Sequence, residues 1–237
     1  VPFLFADKES GTVHQNWESI EGAIRGNFEE IWTEVATGKT SFTEDPISRG
    51  SLEKLIALHQ YTTEECRDLN YDEAMTQFAQ GEAFMFMQGS WAYGSIMERN
   101  PQMNLELIPF PVDNGQEQFV TMWIDSSVGI SRDCKYPEEA EKFVEFLMKP
   151  EILQLYLDAE CSLSSMEGNK NRAEYAPRVH QLIREGRAVM DASWLPLQTS
   201  VIRDKDILSL MPDAGKVEID DYLDTYTKSL QKHKDLY

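Results

Sequence analysis

Residues 71–91 read YDEAMTQFAQGEAFMFMQGSW. The first half repeats apolar residues at helical spacing, with Met75, Phe78 and Ala79 on one side, and predicts a helix from about Asp72 to Gln80. Gly81 is the expected stop, because glycine enters the left-handed conformation that ends helices without a Cβ penalty. Ala83-Phe84-Met85-Phe86-Met87 then runs apolar without a break. Such a run predicts a strand covered on both faces, as in an α/β sheet. Gly89-Ser90-Trp91 interrupts it, and Ser90 is the expected N-cap of a helix through Arg99.

Working outward, the periodicity predicts a helix from Trp17 to about Trp32, with Trp17, Ile20, Ala23, Ile24, Phe28, Ile31 and Trp32 on one face. Gly22 and Gly26 weaken it locally. Asp45-Pro46 marks a helix start, with Leu52, Leu55, Ile56 and Leu58 as its stripe. Downstream, Leu105–Ile108 reads as a short strand ended by Pro109-Phe110-Pro111, and residues 113–117 as a polar turn and a candidate crossover between lobes. Phe119–Trp123 and Ser126–Ser131 read as strands or strand-like links. Pro137-Glu138-Glu139 opens a helix whose buried stripe is Ala140, Phe143, Val144 and Leu147. Pro150-Glu151 opens another, and Cys161 to Lys170 reads as a polar loop. Helices are expected at about 176–185, 205–211 and 219–232. The class is α/β and helix-rich.

The 237 residues carry 22 basic and 41 acidic side chains, a net charge of −19. A surface that negative disfavours nucleic acid and anionic lipid as partners. No apolar run has the length of a membrane-spanning helix. The chain starts at Val1 rather than Met, which reads as a processed or trimmed product, so the lack of a signal says nothing about compartment. Cys66, Cys134 and Cys161 match no zinc or redox spacing, and His14, His59, His180 and His233 never pair at helical ligand spacing. Neither a metal nor a cofactor is expected. The sequence contains no G-x-S-x-G, phosphate loop or H-E-x-x-H.

Residues 71–91 resemble the central signature of family 1 extracellular solute-binding proteins, the maltose-binding-protein-like sugar receptors of ABC importers. That pattern is F-x-x-G-x-A-A-M, a short strand, then G-x-W. Phe78, Gly81, Ala83 and Met85 keep it, and Phe84 stands where a small residue is usual. Ile108-Pro109-Phe110-Pro111, Val128-Gly129-Ile130-Ser131, Pro137–Phe143 and Pro150-Glu151 resemble later features of the family in the same order. The resemblance implies a type II periplasmic-binding-protein fold, represented by the C-terminal lobe plus part of the N-terminal lobe. Residues 1–112 would be C-lobe, 113–165 would return to the N-lobe, and 166–237 would be C-lobe again. Nothing resembles the family's first N-lobe segment. Its absence would leave apolar strand edges and helix faces uncovered, so the chain is expected to self-associate, to swap residues 113–165 with a neighbour or to leave them poorly ordered.

The implied function is carbohydrate binding, with an oligosaccharide as ligand, lobe closure as mechanism and no catalysis. The membrane subunits of an ABC importer would be partners. The location would be extracellular or periplasmic, with a lipoprotein anchor in the full-length protein. A sugar offers an apolar C–H face to aromatic rings and directional hydroxyls to carboxylates and amides. Trp91 follows a strand end and a Gly-Ser turn, where α/β sheets place ligands, and the resembled tryptophan stacks on sugar. Its competing reading is a core tryptophan at a helix start. Trp17, preceded by His14, Gln15 and Asn16, is either a second contact or a helix anchor. Asp7 and Lys8 end the apolar run Val1–Ala6 and would point the same way. Trp123 and Asp125 would face the cleft from the N-lobe, or Trp123 would pack under a helix. Trp194 would be another cleft aromatic or a loop anchor. Ser164, Ser165 and Met166 read as hinge. The alternatives are a glycoside hydrolase fragment, for which no acid here sits in a distinguishing motif, and a receptor of the same fold for a peptide or polyamine, which the acidic charge permits.

Overall fold

The computed structural model describes residues 1–113, 115–124, 126–160, 162, 164, 170, 174–191 and 218–232. In chain order the elements begin β1 (Phe3–Leu4), α1 (Ser10–Arg25), α2 (Phe28–Ala36), α3 (Pro46–Leu58), α4 (Tyr71–Ala79), β2 (Met85–Phe86) and α5 (Trp91–Arg99). They continue with β3 (Val120–Met122), α6 (Pro137–Leu147), α7 (Pro150–Glu160), α8 (Pro177–Arg184), β4 (Ala188–Met190) and α9 (Ile219–Gln231). β1 pairs in parallel with β2, and β3 in parallel with β4.

The run Val1–Ala6 divides two cores. Side chains alternate across a strand, so Phe5 enters one cluster while Leu4 and Ala6 enter another. The first cluster joins Trp17, Phe28, Trp32, Phe42, Leu52 and Leu55 to Leu223, Tyr226 and Leu230 of α9. The Phe42 N–H donates to Thr227 Oγ1 at 3.0 Å, and Gln231 Nε2 donates to the Val35 carbonyl at 3.2 Å, which holds α9 across the first helices. The second cluster packs Met75, Phe78 and Ala79 of α4 against Ala92 and Ile96 of α5. Asn70 and Glu73 form a reciprocal capping box at the start of α4, and Gly81 has φ 82° just beyond its end.

The single helix expected from Trp17 to Trp32 is two. Gly26 has φ 73°, which ends α1, and the Asn27 side chain accepts from the Glu29 N–H to start α2. The two glycines that weaken the helix also admit β3. A Cβ at Gly22 would lie 2.1 Å from Thr121 Oγ1, and one at Gly26 would lie 2.7 Å from the Phe119 ring. The Phe119 N–H donates to the Ala23 carbonyl at 2.9 Å.

Other expectations need correction. The run Ala83–Met87 is not covered on both faces. Ala83 is buried and Phe86 and Met87 pack on the two cores, but Phe84 is 87% exposed. β2 has only the two-residue β1 beside it among the described residues, and Phe84 lies just before it, outside the paired residues. Leu105–Ile108 forms no strand, and Ser126–Ser131 is a link rather than a strand. The amphipathic α6 buries none of its residues, and Phe143 is 59% exposed, because no layer among the described residues covers its apolar face. The helix expected at 205–211 lies outside the described residues.

Candidate functional site

Trp91 and Trp123 come together. Trp91 opens α5 directly after the β2 turn, and Trp123 follows β3, so each stands beyond the carboxyl end of a parallel strand. Their rings meet edge to face, with centroids 6.0 Å apart and planes at 84°. Both are half-buried. Trp91 packs on one side against the second core. A Cβ at Gly89 would fall 2.2 Å from its benzo ring, so the indole lies directly on the backbone there. Gln88 Nε2 is buried and has no hydrogen-bond partner among the described residues. Ser90 precedes the helix but makes no side-chain cap. Its own backbone is already helical (φ −58°, ψ −30°), and the Gly89 carbonyl accepts from the Ala92 N–H instead.

Trp17 lies elsewhere, in the first core. It is 2% exposed, and its indole N–H donates to Ser51 Oγ at 2.9 Å. Tyr222 and Tyr226 meet its ring at 5.9 and 5.6 Å. α1 begins at Ser10, so Trp17 is mid-helix, and its spacing to Val13 and Ile20 puts all three on the buried face. The small cavity among His14, Trp17, Glu18, Glu21, Trp32 and Tyr226 has room for little more than a water molecule, so no sugar ring fits there.

Asp7 is buried too. Its N–H donates to the Cys66 carbonyl at 3.1 Å. Its carboxylate lies 2.8 Å from His59 Nε2 and accepts from Cys66 Sγ at 3.4 Å. His59 stacks on Phe5 at 4.1 Å between centroids, and its Nδ1 lies 2.9 Å from the Leu55 carbonyl. Burial, then the Asp7 charge, pushes the Cys66 thiol up to about 12. A neutral, enclosed thiol ties loops together and is not a nucleophile. Lys8, next in the chain, is exposed. Asp125, Trp194, Ser165 and Met166 lie outside the described residues.

Among the described residues no group of three or more His, Cys, Asp or Glu could hold a metal ion, and no helix is long and apolar enough to cross a membrane. Gly89 and Gln88 are the positions that sequence reasoning passed over. The only hint in the sequence was that Gly89 opens the G-x-W turn and Gln88 precedes it.

A family model described as bacterial extracellular solute-binding protein matches residues 25–163. Among curated proteins, the multiple sugar-binding protein of Streptococcus mutans is 29% identical over 173 residues, which is 70% of this chain and 41% of that protein. Among solved structures, a Bacillus licheniformis sugar transporter in complex with stachyose matches with TM-score 0.74 and 15% identity, covering 100% of this chain and 61% of the other. The solute-binding protein RafE in complex with raffinose matches with TM-score 0.69 and 18% identity, covering 99% and 62%. The chain therefore spans less than half of that curated relative and about three-fifths of these solved chains. It shares their periplasmic-binding-protein fold over that part. With the family model covering more than half of its residues, the chain belongs to the bacterial extracellular solute-binding protein family.

Proposed function

We propose that the chain is part of a receptor that binds a carbohydrate, with an oligosaccharide as ligand, and delivers it to an ABC importer without chemical change. The observation that carries this reading is the Trp91–Trp123 corner, two half-buried indoles meeting at right angles beyond two strand ends. An indole face is suited to the C–H face of a pyranose, and a perpendicular ring beside it limits how the sugar lies. Rotation of the Gln88 side chain would offer its unpartnered amide to a hydroxyl. The relatives that bind raffinose and stachyose support the ligand class. Asp125 and Trp194 remain candidates by resemblance, while Trp17 and Asp7 are assigned to the core.

In this reading residues 1–112 and 166–237 belong to the C-lobe, and because β3 packs on α1 and pairs with β4, the crossing to the N-lobe within 113–165 comes after Met122. Trp123 then stands at that crossing beside Trp91, where lobe closure traps the ligand. The location is extracellular or periplasmic, with a lipoprotein anchor. Trp91→Ala in the full-length protein should weaken oligosaccharide binding by about 1–3 kcal/mol with little change in melting temperature. Calorimetric titration against a glycan panel measures this. Unchanged affinity with a collapsed melting temperature would assign Trp91 to the core.

Self-association belongs to the same proposal. Val128, Ile130, Phe143, Phe146 and Leu155 are all exposed. Large apolar side chains left exposed in such number favour association. Light scattering on the 237-residue chain should give a mass above the 27.2 kDa monomer, and Phe143→Glu with Phe146→Glu should lower it. A monomer at high micromolar concentration would remove this part of the proposal.

A further inference from the structure

We infer that Gly89 is a positioning residue for sugar affinity: its bare backbone is the seat that fixes the Trp91 indole, an inference that rests on Trp91 being a sugar platform. The ring is held from three sides. The second core, through the partly buried packing of Trp91, holds one. Trp123 meets it edge to face at 6.0 Å. The third side is the Gly89 backbone, approached so closely that an added Cβ would lie 2.2 Å from two ring carbons and 2.5 Å from a third. No real Cβ contact is that short, so with a side chain at 89 something must give, and the far end of the Trp91 side chain is the part freest to move.

Gly89 is not among the glycines with positive φ, so an alanine there is not excluded by its own backbone. The substitution therefore acts through the displaced ring rather than through strain in the turn. A platform held in place before the ligand arrives avoids the entropy of ordering it on binding. A displaced platform also loses its angle to Trp123. Glycine at position 89 is thus required by the tryptophan two residues on, and the G-x-W spacing becomes a mechanical statement about the ring.

The test uses the full-length protein labelled with 5-fluorotryptophan, stachyose and raffinose as probes, and three variants: Gly89→Ala, Trp91→Ala and the double variant. The 237 residues carry five tryptophans, and single replacements assign each of them in the fluorine spectrum. Gly89→Ala should shift the Trp91 and Trp123 resonances, leave those of buried Trp17 and Trp32 in place, and weaken binding roughly fivefold or more. In the Trp91→Ala background it should cause no further loss, because its effect passes through that ring. Unmoved Trp91 and Trp123 resonances would overturn the seat. So would moved resonances with unchanged affinity, if Trp91→Ala itself weakens binding. If Trp91→Ala leaves affinity intact for both sugars, the platform reading fails and takes the affinity role of Gly89 with it. Moved resonances would then show the seat to be packing only.

Discussion

Replacing Arg25 with alanine should cost about 3–5 kcal/mol of folding stability at neutral pH. Arg25 ends α1 and is enclosed between two acids. Its Nε donates to Glu21 Oε1 at 2.8 Å, and its guanidinium also pairs with Asp45, the N-cap of α3. Ser48 completes the set. Its hydroxyl donates to Glu21 Oε1 at 3.0 Å and its N–H to Asp45 Oδ2 at 2.7 Å. Glu21 is only 4% exposed, so removing Arg25 leaves a buried carboxylate facing a serine and no cation. Burial already holds the Glu21 carboxyl above its ordinary 4.5, and Arg25 is the main force against that rise. For Asp45 burial also pulls upward but is outweighed by the hydrogen bonds from Arg25 and the Ser48 N–H, which hold it below 3.8.

The signs of the two acids differ. Asp45, with a depressed folded value, contributes stability that is present above 3.8 and lost as pH falls through its folded value. Glu21, with a raised one, takes up a proton on folding and favours the native state as pH falls from that raised value towards 4.5. Without Arg25 the Glu21 value rises further, so the deficit of the variant should shrink as pH is lowered from about 7 to about 5. Glu21→Gln added to Arg25→Ala should recover part of the loss at neutral pH. Urea unfolding at both pH values reads this out. A loss below about 1 kcal/mol with no pH dependence would mean that this ion cluster is as weak as an exposed one.

The helices that anchor both cores were legible because each carries local signals that agree. α4 has its apolar triad Met75, Phe78 and Ala79 and its Gly81 stop. α3 has Asp45-Pro46 at its start, and Asp45 caps the Ser48 N–H as such a pair should. Strands were less legible, because two- and three-residue strands are defined by partners far along the chain, as Val120 is by Ala188. The stripe of α6 is real as a pattern, but a pattern does not say what covers it. Of the proposed site, Trp91 and Trp123 could each be named as candidates from the sequence, whereas their contact could not, since it depends on how β3 lies across Gly22 and Gly26. Asp7 was misread although alternation carried the signal. Phe3, Phe5 and Asp7 alternate along the run that begins with β1, and the partners that satisfy Asp7, His59 and Cys66, come from short turns that periodicity does not place.

Trp17→Ala should also cost about 3–5 kcal/mol, the usual loss for a large aromatic cut from a closed core. The polar residues His14, Gln15 and Asn16 precede the helix start expected at Trp17, yet they lie inside α1. Asn16 is itself 1% exposed. The indole is surrounded by Tyr222 and Tyr226 from α9 and by the α3 serines, so its loss would loosen the attachment of α9 as well as empty a ring-sized volume. Trp17→Phe should cost less. It keeps a ring, and the Ser51 hydroxyl that loses the indole donor still donates to the Ser48 carbonyl at 2.9 Å. Thermal unfolding and calorimetric titration of the same variants separate core from ligand contact. The core assignment requires a large fall in melting temperature for Trp17→Ala and unchanged oligosaccharide affinity for Trp17→Phe, the reverse of the pattern expected at Trp91. A stable Trp17→Ala variant that no longer binds sugar would return this residue to the cleft.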